Sequence, residues 1–405
     1  MKLDTALDIV AAYAEGDRLE GLKRHIDPVW IEEALAWSGT VTLRRRRLPA
    51  EQVLWLVIGM GLMRDAPIER VVDTLDLALP DRKKTLIAKS AISQARRRLS
   101  DDPLAYLFAV SAAEWSERSA ESHRWRGLAL YGLDGTTMRV ADSPENRATF
   151  GGHRNGAGRG ESGYPLVRVV AMMAVRSHVL AAFRFADYAT GETTLARGIW
   201  NEVPENSLVI VDRNVLVKKD LIHLETSGNR HWLSRTKSNT KWAIREKLGK
   251  DDYLVEWDVQ GTGLPSTWTL RAIHYQKKGF PRATLLTSLL DAEKYPASEL
   301  IALYHERWET EIGYDEVKTH LLDRQEAIRS KTPEGVRQEL WGIALAYNLV
   351  RVEMERAAAE AGVPPTRISF VASLAMIREE FMWLASPRVT PGSIPASLDR
   401  LRTRL

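Results

Sequence analysis

The stretch Leu128 to Thr137, LALYGLDGTT, decides the fold, because an apolar run of β type stops there at Asp134. Such a run favours a buried strand, and the Asp-Gly pair that follows favours a turn. The stretch Ser207 to Asn214, SLVIVDRN, repeats the pattern and reaches Asp212. We therefore predict an α/β fold in which two strands each end at a carboxylate.

The segments between and after these aspartates predict the order of the sheet. LVRVVAMMAV and HVLAAFRFADYA, joined at Arg176, predict a hairpin, and GETTLARGIWNEV predicts a helix before the Asp212 strand. LVKKDLIHLETSG and RHWLSRTK add a helix and a strand. The first and fourth strands can be neighbours, which would place Asp134 and Asp212 at one edge. A single acid at a strand end is more often a turn former or a helix cap.

Two carboxylates at one sheet edge require a cation if both are to stay ionised. Mg²⁺ prefers oxygen ligands and is commonly held by one or two carboxylates together with substrate phosphates. A third carboxylate from a later helix would complete a two-metal site. The chain has no cysteine, so thiolate metal sites, disulfides and a cysteine nucleophile are excluded.

The later helix is predicted at YHERWETEIGYDEVK, which begins at Tyr304. Winding it at about 100° per residue places one stripe of side chains together. The members of that stripe are Tyr304, Arg307, Glu311, Asp315 and Lys318. The other acids, Glu306, Glu309 and Glu316, point elsewhere and are expected to be solvated. Ion pairs on an ordinary surface helix would explain the stripe as well.

Helical patterns flank this region on both sides. Residues 1–120 repeat apolar positions at three and four, with basic clusters at Arg44–Arg47 and Arg96–Arg98 that suggest phosphate contacts. Glu334–Glu360 and Ile368–Leu384 are predicted helices, and about 60 residues before the Tyr304 helix are rich in β-formers. The apolar run Val53–Met63 is too short to span a bilayer, so we expect a cytoplasmic protein without membrane contact.

Four positions of the late helix carry a resemblance to a known family. The spacing Tyr-x2-Arg-x3-Glu-x6-Lys, filled by Tyr304, Arg307, Glu311 and Lys318, resembles the signature of the DDE transposases of the insertion-sequence-four family. LDGTTMRV and VIVDRN resemble that family's two aspartate strands, and RRRRLPAEQVLWLVIGMGL resembles its N-terminal domain.

The resemblance implies a ribonuclease-H-like mixed-sheet catalytic core with a β-rich insertion and helical flanks. It also implies that Asp134, Asp212 and Glu311 bind two Mg²⁺ ions, with Mn²⁺ able to substitute, and that Tyr304, Arg307 and Lys318 contact the DNA backbone. The expected segments are a DNA-binding domain (1–120), the first part of the core (121–240), the insertion (241–296), the glutamate helix (297–330) and a C-terminal region (331–405).

The activity implied is cut-and-paste transposition by hydrolysis at the element ends and strand transfer. The partners would be double-stranded DNA, at inverted-repeat ends and at the target, and a second copy of the chain, in a bacterial enzyme that is nucleoid-associated when bound to DNA. Further backbone contacts are predicted at Arg235, Lys237, Arg154 and Arg159, although solvated surface cations would look the same. A relative that has lost catalysis and a stand-alone metal nuclease remain alternatives.

Overall fold

The computed structural model describes residues 25–40, 48–75, 77, 87–153, 163–237, 240–277, 279–322 and 327–384. Two compact units are formed, the first by residues 1–114, 138–165 and 315–405 and the second by residues 115–137 and 166–314. The five segments expected from the sequence stay a prediction. The second unit contains most of the predicted core and the whole of the predicted insertion.

The helices of the described residues lie mostly where the sequence predicts them. The helices are α1 (Pro28–Trp37), α2 (Ala50–Leu62), α3 (Ile68–Thr74), α4 (Lys89–Leu99), α5 (Asp102–Ser122), α6 (Pro144–Phe150), α7 (Glu192–Trp200), α8 (Lys218–Glu225), α9 (Ala297–Glu306), α10 (Trp308–Asp315), α11 (Pro333–Ala361) and α12 (Phe370–Leu384). A π-helical segment, Glu316–Leu321, follows α10, and a short 3₁₀ turn, Pro365–Arg367, precedes α12.

In the part of the chain that the structure describes, ten strands belong to one mixed sheet. The strands are β1 (Ala129–Val140), β2 (Leu166–Ala174), β3 (Leu180–Asp187), β4 (Ser207–Val211), β5 (Arg230–Arg235), β6 (Ala243–Gly249), β7 (Asp252–Asp258), β8 (Thr267–Tyr275), β9 (Ala283–Thr287) and β10 (Ala327–Ile328). Their order is β3-β2-β1-β4-β5-β9-β8-β7-β6, and β10 pairs with the end of β1.

The second unit has the ribonuclease-H-like arrangement expected from the sequence. An antiparallel pair, β2 and β3, adjoins β1, while β1, β4 and β5 run parallel. Strands β6 to β9, within the predicted insertion, extend the same sheet beyond β5. Alternate side chains enter two apolar cores: Tyr131 and Val209 face one, and Leu130 and Leu208 face the other, which includes residues of α9.

The first unit is built around the buried helix α11. Thr332 caps its start by accepting a hydrogen bond from the Gly335 N–H, and Gly362 ends it in the left-handed conformation. Helix α2 crosses α11 so closely that a Cβ on Gly342 would lie 2.6 Å from the Val57 carbonyl oxygen. Arg64 and Glu339 form a fully buried ion pair at 2.6 Å in this unit.

Two basic clusters in the N-terminal region have different outcomes. Arg44–Arg47 lies outside the described residues. In the second cluster, Arg96 donates a hydrogen bond of 3.2 Å to Gln338, so this guanidinium is engaged within the fold, whereas Arg97 is exposed. Burial lowers the pKa of Arg96, and Glu339 and Glu334 partly offset that effect.

Candidate active site

The two predicted aspartates are neighbours in the sheet. Strands β1 and β4 pair in parallel up to Leu133 and Val211, and the next residues along the two strands are Asp134 and Asp212. Asp212 follows the end of β4, as the sequence predicts. The prediction that the first strand stops at Asp134 was wrong, because β1 continues to Val140. The carboxylate therefore lies within β1, where its pairing with β4 ends.

Helix α10 carries Glu311 and packs directly on β1. Gly132 permits the contact, since a Cβ at that position would lie 2.7 Å from the Thr310 hydroxyl oxygen. Tyr314 is buried on the same helix, and its hydroxyl donates a hydrogen bond of 2.6 Å to the backbone carbonyl of Asp134. These two contacts fix the helix against the strand on both sides of Glu311.

Arg307 lies between two of the three predicted carboxylates. Its Nη2 atom is 2.5 Å from Glu311 Oε1, and its Nη1 atom is 3.6 Å from Asp134 Oδ2. The side chains are 20 %, 36 % and 23 % exposed for Arg307, Glu311 and Asp134 respectively, so water screens these attractions only in part. The guanidinium thus supplies positive charge where the carboxylates repel one another.

The pKa of Asp134 reflects the close approach of these charged groups. Burial raises the pKa of its carboxyl, the Gly135 N–H and Arg307 lower it, and the charges of Asp212 and Glu311 raise it again, leaving it above the ordinary value. Burial likewise raises the pKa of Tyr304, with Asp212 contributing in the same direction. Extra negative charge at this edge is therefore costly unless a cation is added.

The donor set fits a hard divalent cation in its chemistry, because all three side chains offer carboxylate oxygens. Among the residues that the structure describes, however, no three histidine or acidic side chains are grouped closely enough to hold a metal ion. Arg307 forms its bond to Glu311 at the same edge. For all three carboxylates to reach one ion, their side chains and Arg307 must rearrange.

A cleft of about 600 Å³ opens beside Asp212 within the second unit. Arg235, predicted from the sequence as a DNA contact, lines it together with Tyr304 and Arg307. The other cationic and aromatic residues that line the cleft were not predicted from the sequence. These are Arg213, Tyr275, Lys277, Phe280, His305 and Trp308. Their positions depend on the pairing of β5, β8 and β9, which no local motif signals.

The other predicted contacts have separate outcomes, and among the described residues that line the cleft neither Lys237 nor Lys318 is found. Lys237 is exposed just after β5, and Lys318 belongs to the π-helical segment of the first unit. Arg154 and Arg159 lie outside the described residues. Asp315, the first residue of that unit's last segment, accepts a hydrogen bond of 2.5 Å from the Thr319 hydroxyl.

The expectation that three other acids are solvated was wrong for Glu316, while Glu306 and Glu309 are partly exposed and ion-paired. Glu306 pairs with Arg176 at 3.0 Å, and Glu309 pairs with the buried His178 at 2.9 Å. Glu316 is buried and accepts a hydrogen bond of 2.7 Å from the Tyr347 hydroxyl. The predicted single helix is interrupted at Arg307 and becomes π-helical after Asp315, so one straight helical wheel does not describe its faces.

The fold of the second unit is of the ribonuclease-H-like class. Two family models match the chain: "Insertion element 4 transposase N-terminal" at residues 17–109 and "Transposase DDE domain" at residues 128–349. The chain belongs to the insertion-sequence-four family of DDE transposases. It is therefore an enzyme that acts in DNA transposition, with DNA as partner and a dependence on divalent metal.

Curated relatives in Escherichia coli strain K12 agree with the family models. "Transposase InsG for insertion sequence element IS4" is 36% identical over 404 residues, which cover 98% of this chain and 90% of the relative. "Putative transposase InsZ" is 35% identical over 211 residues, which cover 52% of this chain and 69% of the relative.

Among solved structures, a cryo-EM structure of the piggyBac transposase synaptic complex with hairpin DNA aligns at a TM-score of 0.44 and 12% identity. The alignment covers 96% of this chain and 85% of that chain. Within the described ranges, no helix has the length and apolar character needed to cross a membrane.

Proposed function

We propose that this chain catalyses cut-and-paste transposition of its own insertion sequence, with Asp134, Asp212 and Glu311 as the catalytic carboxylates. The observation that carries the proposal is their arrangement: the aspartates follow paired residues of β1 and β4, and the helix bearing Glu311 packs on β1. The charges of Asp212 and Glu311 both act on Asp134, as expected of groups that share a site.

The three carboxylates are proposed to hold Mg²⁺, with two ions expected and Mn²⁺ able to substitute. Ions bound by this donor set would supply activation of the attacking oxygen and stabilisation of the leaving oxygen. Arg307 keeps Asp134 and Glu311 charge-compensated before metal and DNA arrive, because its guanidinium pairs with both. Once released from Glu311, the same guanidinium is free to bind a DNA phosphate.

The proposed reaction begins with hydrolysis at the element end. A water oxygen bonds to the phosphorus, the bond from phosphorus to the 3′ oxygen breaks, and a 3′-OH is left. That hydroxyl then attacks a phosphorus of the opposite strand, which releases the flanking DNA and, in several members of the family, closes the end as a hairpin. A second water opens the hairpin and restores the 3′-OH. This hydroxyl then attacks a phosphorus of target DNA, and a target 3′ oxygen leaves. The chain's residues orient the backbone for these in-line displacements, in which positioning and charge stabilisation carry most of the catalysis.

The cleft beside Asp212 suits a DNA strand in its chemistry. Arg235 and Lys277 offer cations to phosphates, while exposed aromatic rings, including those of Phe280 and Trp308, offer stacking surfaces. Tyr304 lines the cleft and adds a phenolic hydroxyl. Contacts from Lys237, Lys318, Arg154 and Arg159 to the DNA backbone remain part of the proposal.

Coupled cleavage of two ends requires that both be held at once, so we infer a homodimer on paired ends. The N-terminal region, residues 1–120, is proposed to bind end DNA, and the bound enzyme would associate with the nucleoid. Target DNA is the second nucleic-acid partner. These assignments rest on family membership and on the helical character of the described part of that region.

The test incubates the protein with Mg²⁺ or Mn²⁺ and labelled DNA that carries the element's inverted repeats, identified in the sequence flanking its reading frame. We expect nicking at the ends, followed by strand transfer, and a hairpin intermediate if the opposite strand is attacked. Binding without cleavage would instead indicate a relative that has lost catalysis, and cleavage without joining a stand-alone nuclease. Either result would overturn the proposed function.

A further inference from the structure

The hydroxyl of Tyr314 occupies an unusual place between two strands. It accepts a hydrogen bond of 2.9 Å from the Ala171 N–H of β2 and donates one of 2.6 Å to the Asp134 carbonyl of β1. The side chain is buried, so water does not compete for these two hydrogen bonds. One side-chain group thus bridges the backbones of adjacent strands.

The register of β1 and β2 explains what this bridge replaces. The Val175 N–H donates directly to the Leu130 carbonyl at 3.1 Å. Asp134 is four residues after Leu130 on β1, and Ala171 of β2 is four residues before Val175. In an antiparallel pair these two residues therefore lie opposite each other. In an antiparallel ladder, alternate pairs exchange direct N–H···O=C bonds, so Ala171 would be expected to donate to Asp134. The Tyr314 hydroxyl is bonded to both groups of that expected pair, the Ala171 N–H and the Asp134 carbonyl, and is thus inserted between them.

This insertion joins the strand that carries one carboxylate to the helix that carries another. Tyr314 lies three residues after Glu311 on α10, so the two side chains belong to adjacent turns of one rigid helix. The Thr310 contact with Gly132 holds the same helix against β1. The position of Glu311 relative to Asp134 therefore depends on a hydroxyl wedged into the ladder beside Asp134.

We propose that Tyr314 is a positioning residue that sets the separation of Asp134 and Glu311 for metal binding. The inference rests on the proposed metal role of those carboxylates. Without the hydroxyl, β1 and β2 can close the direct Ala171–Asp134 bond, and the backbone of Asp134 shifts towards β2. The helix loses its polar attachment to β1 in the same step, so both carboxylates change position although neither has been altered.

The test measures Mn²⁺ binding to the DNA-free protein by the electron paramagnetic resonance signal of free Mn²⁺. The Tyr314→Phe variant keeps the ring and loses the bridge, and we expect Mn²⁺ affinity to fall by about tenfold to a hundredfold, as for loss of other groups that orient metal ligands. The matched control is Tyr131→Phe, which removes another buried tyrosine hydroxyl from β1 itself. It should leave Mn²⁺ affinity unchanged.

A Glu311→Gln variant separates failure of this inference from failure of the proposed function. If Glu311→Gln weakens Mn²⁺ binding but Tyr314→Phe does not, only the positioning role of Tyr314 is overturned. Binding that Glu311→Gln leaves unchanged would overturn the proposed metal site, and the inference with it. End cleavage by Tyr314→Phe should also require more Mn²⁺ for half-maximal rate and recover when Mn²⁺ saturates.

A second variant covers the case in which Tyr314→Phe fails to fold. Replacing Tyr314 with 4-aminophenylalanine keeps a hydrogen-bonding group at the same place on the ring. Affinity for Mn²⁺ within about threefold of the wild type, a change below 1 kcal/mol, would support the bridge. Affinity as low as that of an Asp134→Asn variant, in a protein with native circular dichroism, would overturn it.

Discussion

Gly132→Ala perturbs the packing of the glutamate helix without altering a charged residue. The new Cβ would lie 2.7 Å from the Thr310 hydroxyl oxygen, closer than non-bonded atoms tolerate, and 3.3 Å from its methyl carbon, which is a tight contact. Thr310 is buried, and its hydroxyl already donates to the Arg307 carbonyl at 2.6 Å, so it has little freedom to move. Overpacking of this kind costs about 1–3 kcal/mol.

The larger effect should be on activity. If α10 moves about 1 Å away from β1, a loss of roughly a hundredfold in the cleavage rate is expected, because misplacement by that distance disrupts the reacting geometry. The assay is single-turnover cleavage of labelled end DNA, with chemical denaturation to measure the free energy of unfolding. Gly198→Ala is the control, since a Cβ there would meet only the Arg184 Nε at 3.9 Å.

The double variant Gly132→Ala with Thr310→Ala tests whether the contact with Thr310 causes the loss of activity. Truncating Thr310 removes the two closest of the three atoms that the new methyl group would meet, so the double variant should recover part of the activity lost by Gly132→Ala. Contacting residues commonly show coupling energies of about 0.5–3 kcal/mol in such cycles. Wild-type cleavage by Gly132→Ala, or strictly additive losses in the double variant, would refute the contact as the cause.

Two further predictions concern charge at the site. Arg307→Gln should bind Mn²⁺ about twofold to fivefold more tightly in the absence of DNA, because a partly exposed ion pair worth roughly 0.4–1 kcal/mol no longer competes for Glu311. Unchanged affinity, or an equal gain in the control Arg235→Gln, would contradict this. The pKa of Asp134 is raised in the folded protein, so its ionisation lowers the free energy of unfolding as pH rises. Metal-free Asp134→Asn should therefore have a higher melting temperature than the wild type at pH 7, and this difference should disappear as pH falls through the carboxylate range. A difference that does not depend on pH would contradict the prediction.

The sequence was sufficient for the parts of the fold that depend on local pattern. The hairpin of β2 and β3, the parallel neighbours β1 and β4, and the start of α9 at Ala297 all follow from apolar runs and turn residues. These features place the two aspartates side by side. The spacing of Tyr304, Arg307, Glu311 and Lys318 then identified the family, which the matches to known proteins confirm.

Other features of the site depend on tertiary packing and could not be predicted from the sequence. The helix break at Arg307 and the π-helical turn after Asp315 contradict a single straight helix, and they change which acids are covered. Glu316 was expected to be solvated, yet it is buried against Tyr347 and Arg351 of α11. No local pattern signals that Tyr314 enters a strand ladder, because the ladder forms from segments far away in the chain.

The central claim is that Glu311, and not its neighbour Glu309, joins Asp134 and Asp212 in catalysis. The most direct measurement compares Glu311→Ala with Glu309→Ala in cleavage of labelled inverted-repeat DNA with Mn²⁺ present, alongside end binding by gel shift. We predict that Glu311→Ala abolishes cleavage and keeps end binding, while Glu309→Ala continues to cleave. An inactive Glu309→Ala beside a fully active Glu311→Ala would contradict the account.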